Sequence, residues 1–430
     1  MSAARESAIG TRRKAFSLGT LHALVRLICS FASVKLTAVY LGPGGLALIA
    51  QFNNFVSLCQ GIVVTGLETA TMRLSAEYGA DLPRRRLLLA TVCKVGVGLG
   101  VPTALTMMVA SPWLASWLLK SSAYRFVFVI AAIGVLAAIL NAVLLAVLTT
   151  RGEIARVVAS NILATIVGVL VFAPAAMHWG VPGGLYASSS IYILALTGTL
   201  ILLSRTTVLR LRDFVGRLDR VEARRIAGFY PMLVFHAAMA PLSLIVIREH
   251  VTSQLSLEAA GLWQACWRLS ETYLMVVMMS VTTQFMARLG EAANYPDRLR
   301  AEVLRTLGAA VGATAAMALG IFVLREWIVR LIFSQAFLPV VELMPMQLVG
   351  DVLKMTGWTL GFVLVATVRS RWYIAIEIVV PLVFIVVARL LSARMGVAGV
   401  TTAYVVAGCV QCTMALIALR DIIFTRSSTR

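Results

Sequence analysis

Twelve apolar runs, each about as long as a bilayer is thick, follow one another along this chain with only short polar breaks. They fall at 16–38, 46–70, 87–110, 125–149, 157–177, 185–204, 228–247, 260–286, 302–324, 342–366, 372–391 and 398–419. About 20 apolar residues let a helix cross the roughly 30 Å of hydrocarbon. The expected fold is therefore all-α and integral to a membrane, with about 12 transmembrane helices. Composition agrees, since 60% of the 430 residues are apolar and 13% charged, whereas a soluble domain is about half apolar and a quarter charged.

The net charge of +19 would suggest nucleic acid in a soluble protein. Here the basic residues sit between apolar runs, where they set topology, and nucleic-acid binding is not expected. With the N-terminus in the cytoplasm, inner segments carry 26 of the 38 basic residues. The outer segments carry Lys120, Arg125, Arg248, Arg325, Arg330, Arg389 and Arg394. That bias places both termini inside. Arg12, Arg13 and Lys14 precede a run that is too long for a signal peptide's apolar core and contains Arg26, so it reads as a retained first helix. All six cysteines lie inside expected helices and read as packing residues, with no metal site or cofactor implied.

The most basic stretch, with Arg205, Arg210, Arg212, Arg217, Arg220, Arg224 and Arg225, divides the chain. It reads as a cytoplasmic linker, 205–227, between a six-helix lobe at 1–204 and a second at 228–430. The two halves repeat. Gly45-Leu46 corresponds to Gly261-Leu262, Trp113 to Trp327, and Gly180-Val-Pro-Gly183 to Gly396-Val-Ala-Gly399, at nearly equal offsets that are each close to half the chain. Six spans per unit make the copies parallel, with a substrate site expected between them near the midplane. Gly96 with Gly100, Gly308 with Gly312, and Gly357 with Gly361 are expected to let helices approach closely. Pro231 and Pro241 interrupt the seventh span and mark it as a candidate hinge.

Ionisable groups inside hydrocarbon normally face a partner or a wet cavity. Arg268 with Glu271, and Asp351 with Lys354, are basic–acidic pairs one helical turn apart, and Gln264 and Gln347 extend each polar face by a turn. Either the pairs neutralise themselves as structural bridges, or the cations draw an anionic ligand while the acids exchange a proton or cation. Arg26 lies deep in the first span and is a further cavity candidate, while Lys35 and Lys94 lie nearer helix ends. Glu377 and Glu68 stand toward the cytoplasmic rim, and His236 between the two prolines reads as a packing residue.

Three segments carry a resemblance to a known family: Tyr40-Leu-Gly-Pro-Gly-Gly-Leu46, Gly261-Leu-Trp-Gln264 continuing to Ser270-Glu-Thr-Tyr-Leu274, and Gln347-Leu-Val-Gly-Asp-Val-Leu-Lys354. They resemble the Wzx-type polysaccharide flippases of the multidrug/oligosaccharidyl-lipid/polysaccharide exporter superfamily, nearest the lipid III flippases of enterobacterial common antigen synthesis. The resemblance implies two pseudo-symmetric six-helix lobes of the MATE type and alternating access in a bacterial inner membrane. It implies as cargo an undecaprenyl-diphosphate-linked oligosaccharide, of lipid III or O-antigen type, turned from the cytoplasmic to the periplasmic leaflet. Polymerase and chain-length proteins of the same pathway would be partners. Arg26, Lys35 and Lys354 with Asp351 fit the family pattern, whereas Arg268 stands where relatives carry a small polar residue. Arg26, Lys35, Gln264, Arg268, Gln347 and Lys354 are thus the expected substrate contacts, and Glu271, Asp351 and Glu377 the expected coupling acids. A drug exporter of the same superfamily would favour an acidic cavity. A membrane enzyme would need an acidic metal motif or a sizeable outer domain, and the breaks between the apolar runs are too short to hold such a domain.

Overall fold

The computed structural model describes residues 2–79, 81–204, 216–292 and 295–423, and among these every regular element is helical. The α-helices are α1 (Ser2–Tyr78), α2 (Leu82–Val109), α3 (Ser111–Leu118), α4 (Arg125–Thr150), α5 (Ile154–Ser204), α6 (Arg220–Gln254), α7 (Leu257–Ala292), α8 (Pro296–Val323), α9 (Arg325–Ile332), α10 (Val340–Ala366), α11 (Ser370–Met395), α12 (Val397–Ala418) and α13 (Arg420–Ile423). Arg205, Arg210 and Arg212 of the basic linker lie outside the described residues, as do the side chains of Pro231 and His236.

Nine of the described helices are long and apolar enough to cross a membrane. Two of them are twice the needed length. The 77 residues of α1 are broken at Gly42 (φ 66°, ψ −172°), and the 51 of α5 at Gly180 (φ 60°, ψ −141°). The loops expected near residues 39–45 and 178–184 are therefore corrected to single-glycine breaks. Only glycine occupies that backbone region cheaply, which is why the direction changes there. α7, whose hydropathy is lowered by Gln264, Arg268 and Glu271, brings the segments back to twelve. α6 stays helical through both Pro231 and Pro241, so neither proline ends it.

The repeat is reproduced in backbone detail. α3 and α9 are equally long, and each starts two positions before its repeat tryptophan, Trp113 in α3 and Trp327 in α9. Gly396, between α11 and α12, adopts φ 59° and ψ −139°, matching Gly180. A Cβ on Gly183 would lie 2.0 Å from the Ala175 carbonyl oxygen, and one on Gly399 would lie 2.5 Å from the Leu391 oxygen. These four residues are two equivalent pairs. Even the positive φ of Gly152 (77°) recurs at its counterpart, Val368 (56°).

Two compact units form: Met1–Leu41 with Leu48–Leu242, and Gly42–Ala47 with Ser243–Arg430. Unit one is cored by Val63, Leu67, Leu88, Val92, Ile139 and Ile226. Lipid tails are as apolar as leucine, so close packing rather than water exclusion holds such helices together. The α2 glycines show how. Cβ atoms on Gly96 and Gly100 would stand 2.8 Å and 2.3 Å from methyls of Ile139 on α4. At its polar end Tyr78 donates to Glu222 and accepts from Arg225 at 2.7 Å, tying the end of α1 to the start of α6.

Unit two is packed by knobs and glycine gaps between α10 and α12. Gly350 receives Tyr404, Gly408 receives Leu353, and Gly357 receives Gln411. Gly308, Gly312 and Gly361 meet nothing within 4 Å, which corrects the expectation of close helix contact at those three. The backbone of Gly261 lies against Pro43, so two of the segments that carry the family resemblance touch within this unit.

Candidate functional site

The candidate site grows out of an aromatic core in unit two. Trp263 and Trp267 of α7, Phe384 of α11 and Tyr404 of α12 pack together, with Trp267 stacked on Phe384 (centroids 6.1 Å apart) and edge-on to Tyr404 (5.1 Å). Four-residue and three-residue spacing puts Gln264, Arg268 and Glu271 on one face of α7, and Gln347, Asp351, Lys354 and Trp358 on one face of α10. These charged faces meet the aromatic rings.

Asp351 is completely buried. Its carboxylate accepts hydrogen bonds from Tyr273 of α7 (2.8 Å) and Tyr404 of α12 (3.0 Å), and the Ser270 hydroxyl also faces it. Three helices thus converge on one carboxylate. Lys354 does not bridge to it. The Lys354 ammonium lies over the rings of Trp267 (4.5 Å), Trp358 (4.8 Å) and Tyr404 (5.5 Å). A cation over ring faces is held by their negative quadrupole without its charge being cancelled. The two readings left open by the sequence therefore part company. Asp351 and Lys354 form no ion pair, while Arg268 and Glu271 do, at 3.3 Å, with both side chains 41% exposed.

Glu271 also accepts from the Trp267 indole at 2.9 Å, and its charge reaches Lys354 and Arg248. Arg248, counted from the sequence among the outer segments, lies within a helix. It is 1% exposed in α6, donating to Gln264 and lying 5.6 Å from the Trp263 ring. Its helix continues past it to Gln254, which draws it into the unit. Gln347 is equally buried, and neither atom of its amide has a hydrogen-bond partner among the described residues.

The other sequence candidates lie apart from this cluster. Arg26 and Lys35 are exposed on α1, in unit one. Glu377 is half-buried on α11 beside Tyr373. Pro241 is half-buried within α6. Sequence reasoning missed Tyr273, Tyr404, Trp267, Trp358 and Arg248. Trp267 and Trp358 stood four residues from Glu271 and Lys354, a usable signal, whereas Tyr273 stood at no helical spacing from a named charge. Tyr404, far along the chain from Asp351 and on another helix, gave none.

No family model matches the chain. The lipid III flippases of Escherichia coli (strain K12) and Shigella flexneri are each 25% identical to it over 381 residues, which cover 89% of this chain and 91% of theirs. Among solved structures, an inward-facing multidrug resistance MATE family transporter of the MOP superfamily superposes with a TM-score of 0.77 at 14% identity, covering 93% of this chain and 98% of that one. The lipid II flippase MurJ, in an inward closed conformation, gives 0.75 at 12% identity, over 93% of this chain and 87% of that one. The resemblance carried by the three sequence segments stands: the chain has the fold of the MOP superfamily of transporters, and along most of its length its sequence is similar to the lipid III flippases.

Proposed function

We propose that this protein is a flippase that moves an undecaprenyl-diphosphate-linked oligosaccharide, of lipid III or O-antigen type, from the cytoplasmic to the periplasmic leaflet of a bacterial inner membrane by alternating access. Both termini are cytoplasmic in this reading. The 25% identity to lipid III flippases across 89% of the chain carries it. The chemistry of unit two supports it. A diphosphate is drawn to Lys354, which forms no ion pair with Asp351 and lies over ring faces instead, and to Arg268, whose guanidinium can offer paired hydrogen bonds. Asp351 and Glu271 are the acids we assign to coupling, Asp351 because its carboxylate is tied to three helices. We assign Gln264 and Gln347 to polar contacts with the same cargo. Arg26 and Lys35 would add positive potential in unit one, with Glu377 a more peripheral acid and Pro231 and Pro241 the bending points of α6. The linker between two six-helix lobes, and partnership with polymerase and chain-length proteins, belong to the same proposal.

The test is a liposome assay with purified protein and labelled undecaprenyl-diphosphate oligosaccharide. Inner-leaflet lipid should become accessible to an added membrane-impermeant glycan-modifying enzyme faster than in empty liposomes. Movement of a cationic dye with no lipid exposure would shift the assignment to a drug exporter.

A further inference from the structure

One face of α1 is too polar for the hydrocarbon around it. Its second arm presents Asn53, Ser57 and Gln60, spaced four and three residues apart and so aligned along the helix. Asn53 and Ser57 are exposed and Gln60 is half-buried. On the adjoining face Phe52, Val56 and Val63 are buried. Ile62, half a turn round from Asn53, is an exposed aliphatic, as a lipid-facing position should be. An amide or hydroxyl in the same setting would have no partner in lipid, which suits the exposed Asn53 and Ser57 to water, with Gln60, whose amide nitrogen is buried, at the inner edge of the line.

The surroundings fit one kind of ligand. Gln60 lies against the Tyr192 phenol of α5, and Arg26, from the first arm of α1, is near enough for its charge to act on that phenol. Behind the line, the buried Asn54 amide nitrogen has no acceptor among the described residues. Amides and hydroxyls both donate and accept, which is what sugar hydroxyls require. Among the described residues of this arm, Glu68 is the first acid beyond Gln60, two turns on and half-buried. The charged equipment of unit two has no counterpart here: at the positions of the first repeat equivalent to Arg268 and Glu271 stand Phe52 and Phe55, packed edge-on against Phe128.

We infer that the Asn53–Ser57–Gln60 face of α1 is a carbohydrate-binding surface that takes the saccharide of the lipid-linked cargo, an inference that rests on the flippase reading above. Its side chains exchange hydrogen bonds with sugar hydroxyls and leave the diphosphate to the cationic groups.

The experiment compares two probes on the full-length protein in nanodiscs: undecaprenyl diphosphate, and the same lipid bearing one N-acetylglucosamine. Wild type should bind the glycosylated lipid about tenfold or more tightly than the bare one, the equivalent of one or two hydrogen bonds. Asn53→Leu/Ser57→Ala should abolish that preference while leaving bare-lipid affinity unchanged. Equal wild-type affinities, or a variant that loses both lipids together, would overturn the inference and leave the flippase reading intact. A wild type that binds neither overturns both. Independently, Asn53→Cys and Ser57→Cys should react with a membrane-impermeant maleimide and Ile62→Cys should not; protection of all three would refute a wet face.

Discussion

Tyr404 and Asp351 are joined by a 3.0 Å hydrogen bond from α12 to α10, and the ring of that tyrosine lies 5.5 Å from the ammonium of Lys354. One side chain therefore holds both Asp351 and Lys354, the first through its hydroxyl and the second through its ring face. Tyr404→Phe keeps the ring and removes the donor, at a cost of about 1–3 kcal/mol for a charged hydrogen bond lost in the interior. Tyr404→Leu removes both. The expected order of flipping rate in the liposome assay is wild type, then Phe, then Leu. A Phe variant as poor as Leu would show that the ring contributes nothing to Lys354.

Gly350 makes room for that tyrosine. A Cβ there would fall 2.3 Å from the Tyr404 ring, so Gly350→Ala should destabilise by about 1–3 kcal/mol through overpacking. A smaller residue at 404 relieves the clash. In a double-mutant cycle of Gly350→Ala with Tyr404→Leu, unfolding midpoints in detergent should be clearly non-additive. Additive losses would mean that the two positions do not touch.

Asp351→Asn offers one carbonyl oxygen where the carboxylate has two, so Tyr273 and Tyr404 cannot both keep their acceptors. We expect reduced translocation at normal membrane insertion, measured by flipping at matched protein density. Arg268→Ala should do the same, by freeing Glu271 from its bridge. Normal transport by both variants would remove these residues from the site.

Val368 sits at φ 56° and is 80% exposed, while its counterpart in the first repeat is Gly152. A β-branched residue is strained in that region, and burial gives it little in return. Val368→Gly should stabilise by roughly 1 kcal/mol, read as a raised unfolding midpoint. Gly180→Ala and Gly396→Ala should lower it by similar amounts to each other, since their dihedrals match.

Arg369 pairs with Asp421, donating from both terminal guanidinium nitrogens, one of them at 2.8 Å, and so ties α13 to the turn between α10 and α11. That hydrogen bond is the main reason the Asp421 carboxyl is held below its ordinary value of 3.8. A depressed carboxyl contributes its stability above the ordinary value and loses it as pH falls through the folded one. The tie should thus hold at neutral pH and weaken below about pH 4, which hydrogen exchange of α13 can follow. Asp421→Asn should abolish that dependence. Asp421 is 57% exposed, so water screening keeps the effect small.

Much of the scaffold was legible because hydrocarbon leaves few choices. Run lengths marked the crossings, and Gly180 with Gly396 marked the repeat before their shared dihedrals were known. Arg268 with Glu271 and Asp351 with Lys354 were legible as charges at helical spacing. How each pair resolves was not, because it depends on Tyr404 and Trp267, whose positions are set by tertiary packing. Arg248 was misplaced for a related reason: charge marks a loop only where the helix actually ends, and α6 runs on. Asn53 and Ser57 went unread because neutral polar residues are cheap enough in a helix to carry no signal without their exposure.

The charged cluster of unit two is not repeated at the equivalent positions of the first repeat. At the positions of the first repeat equivalent to Asp351 and Lys354 stand Val135 and Ala138. In their ordinary ionisation states Arg248, Arg268, Lys354, Glu271 and Asp351 sum to one positive charge, all of it in unit two. Any step that displaces these residues along the membrane normal therefore does electrical work, about 2.3 kcal/mol for each unit charge carried through a full 100 mV drop. Through these groups the membrane voltage acts on the protein itself, apart from whatever charge its cargo brings.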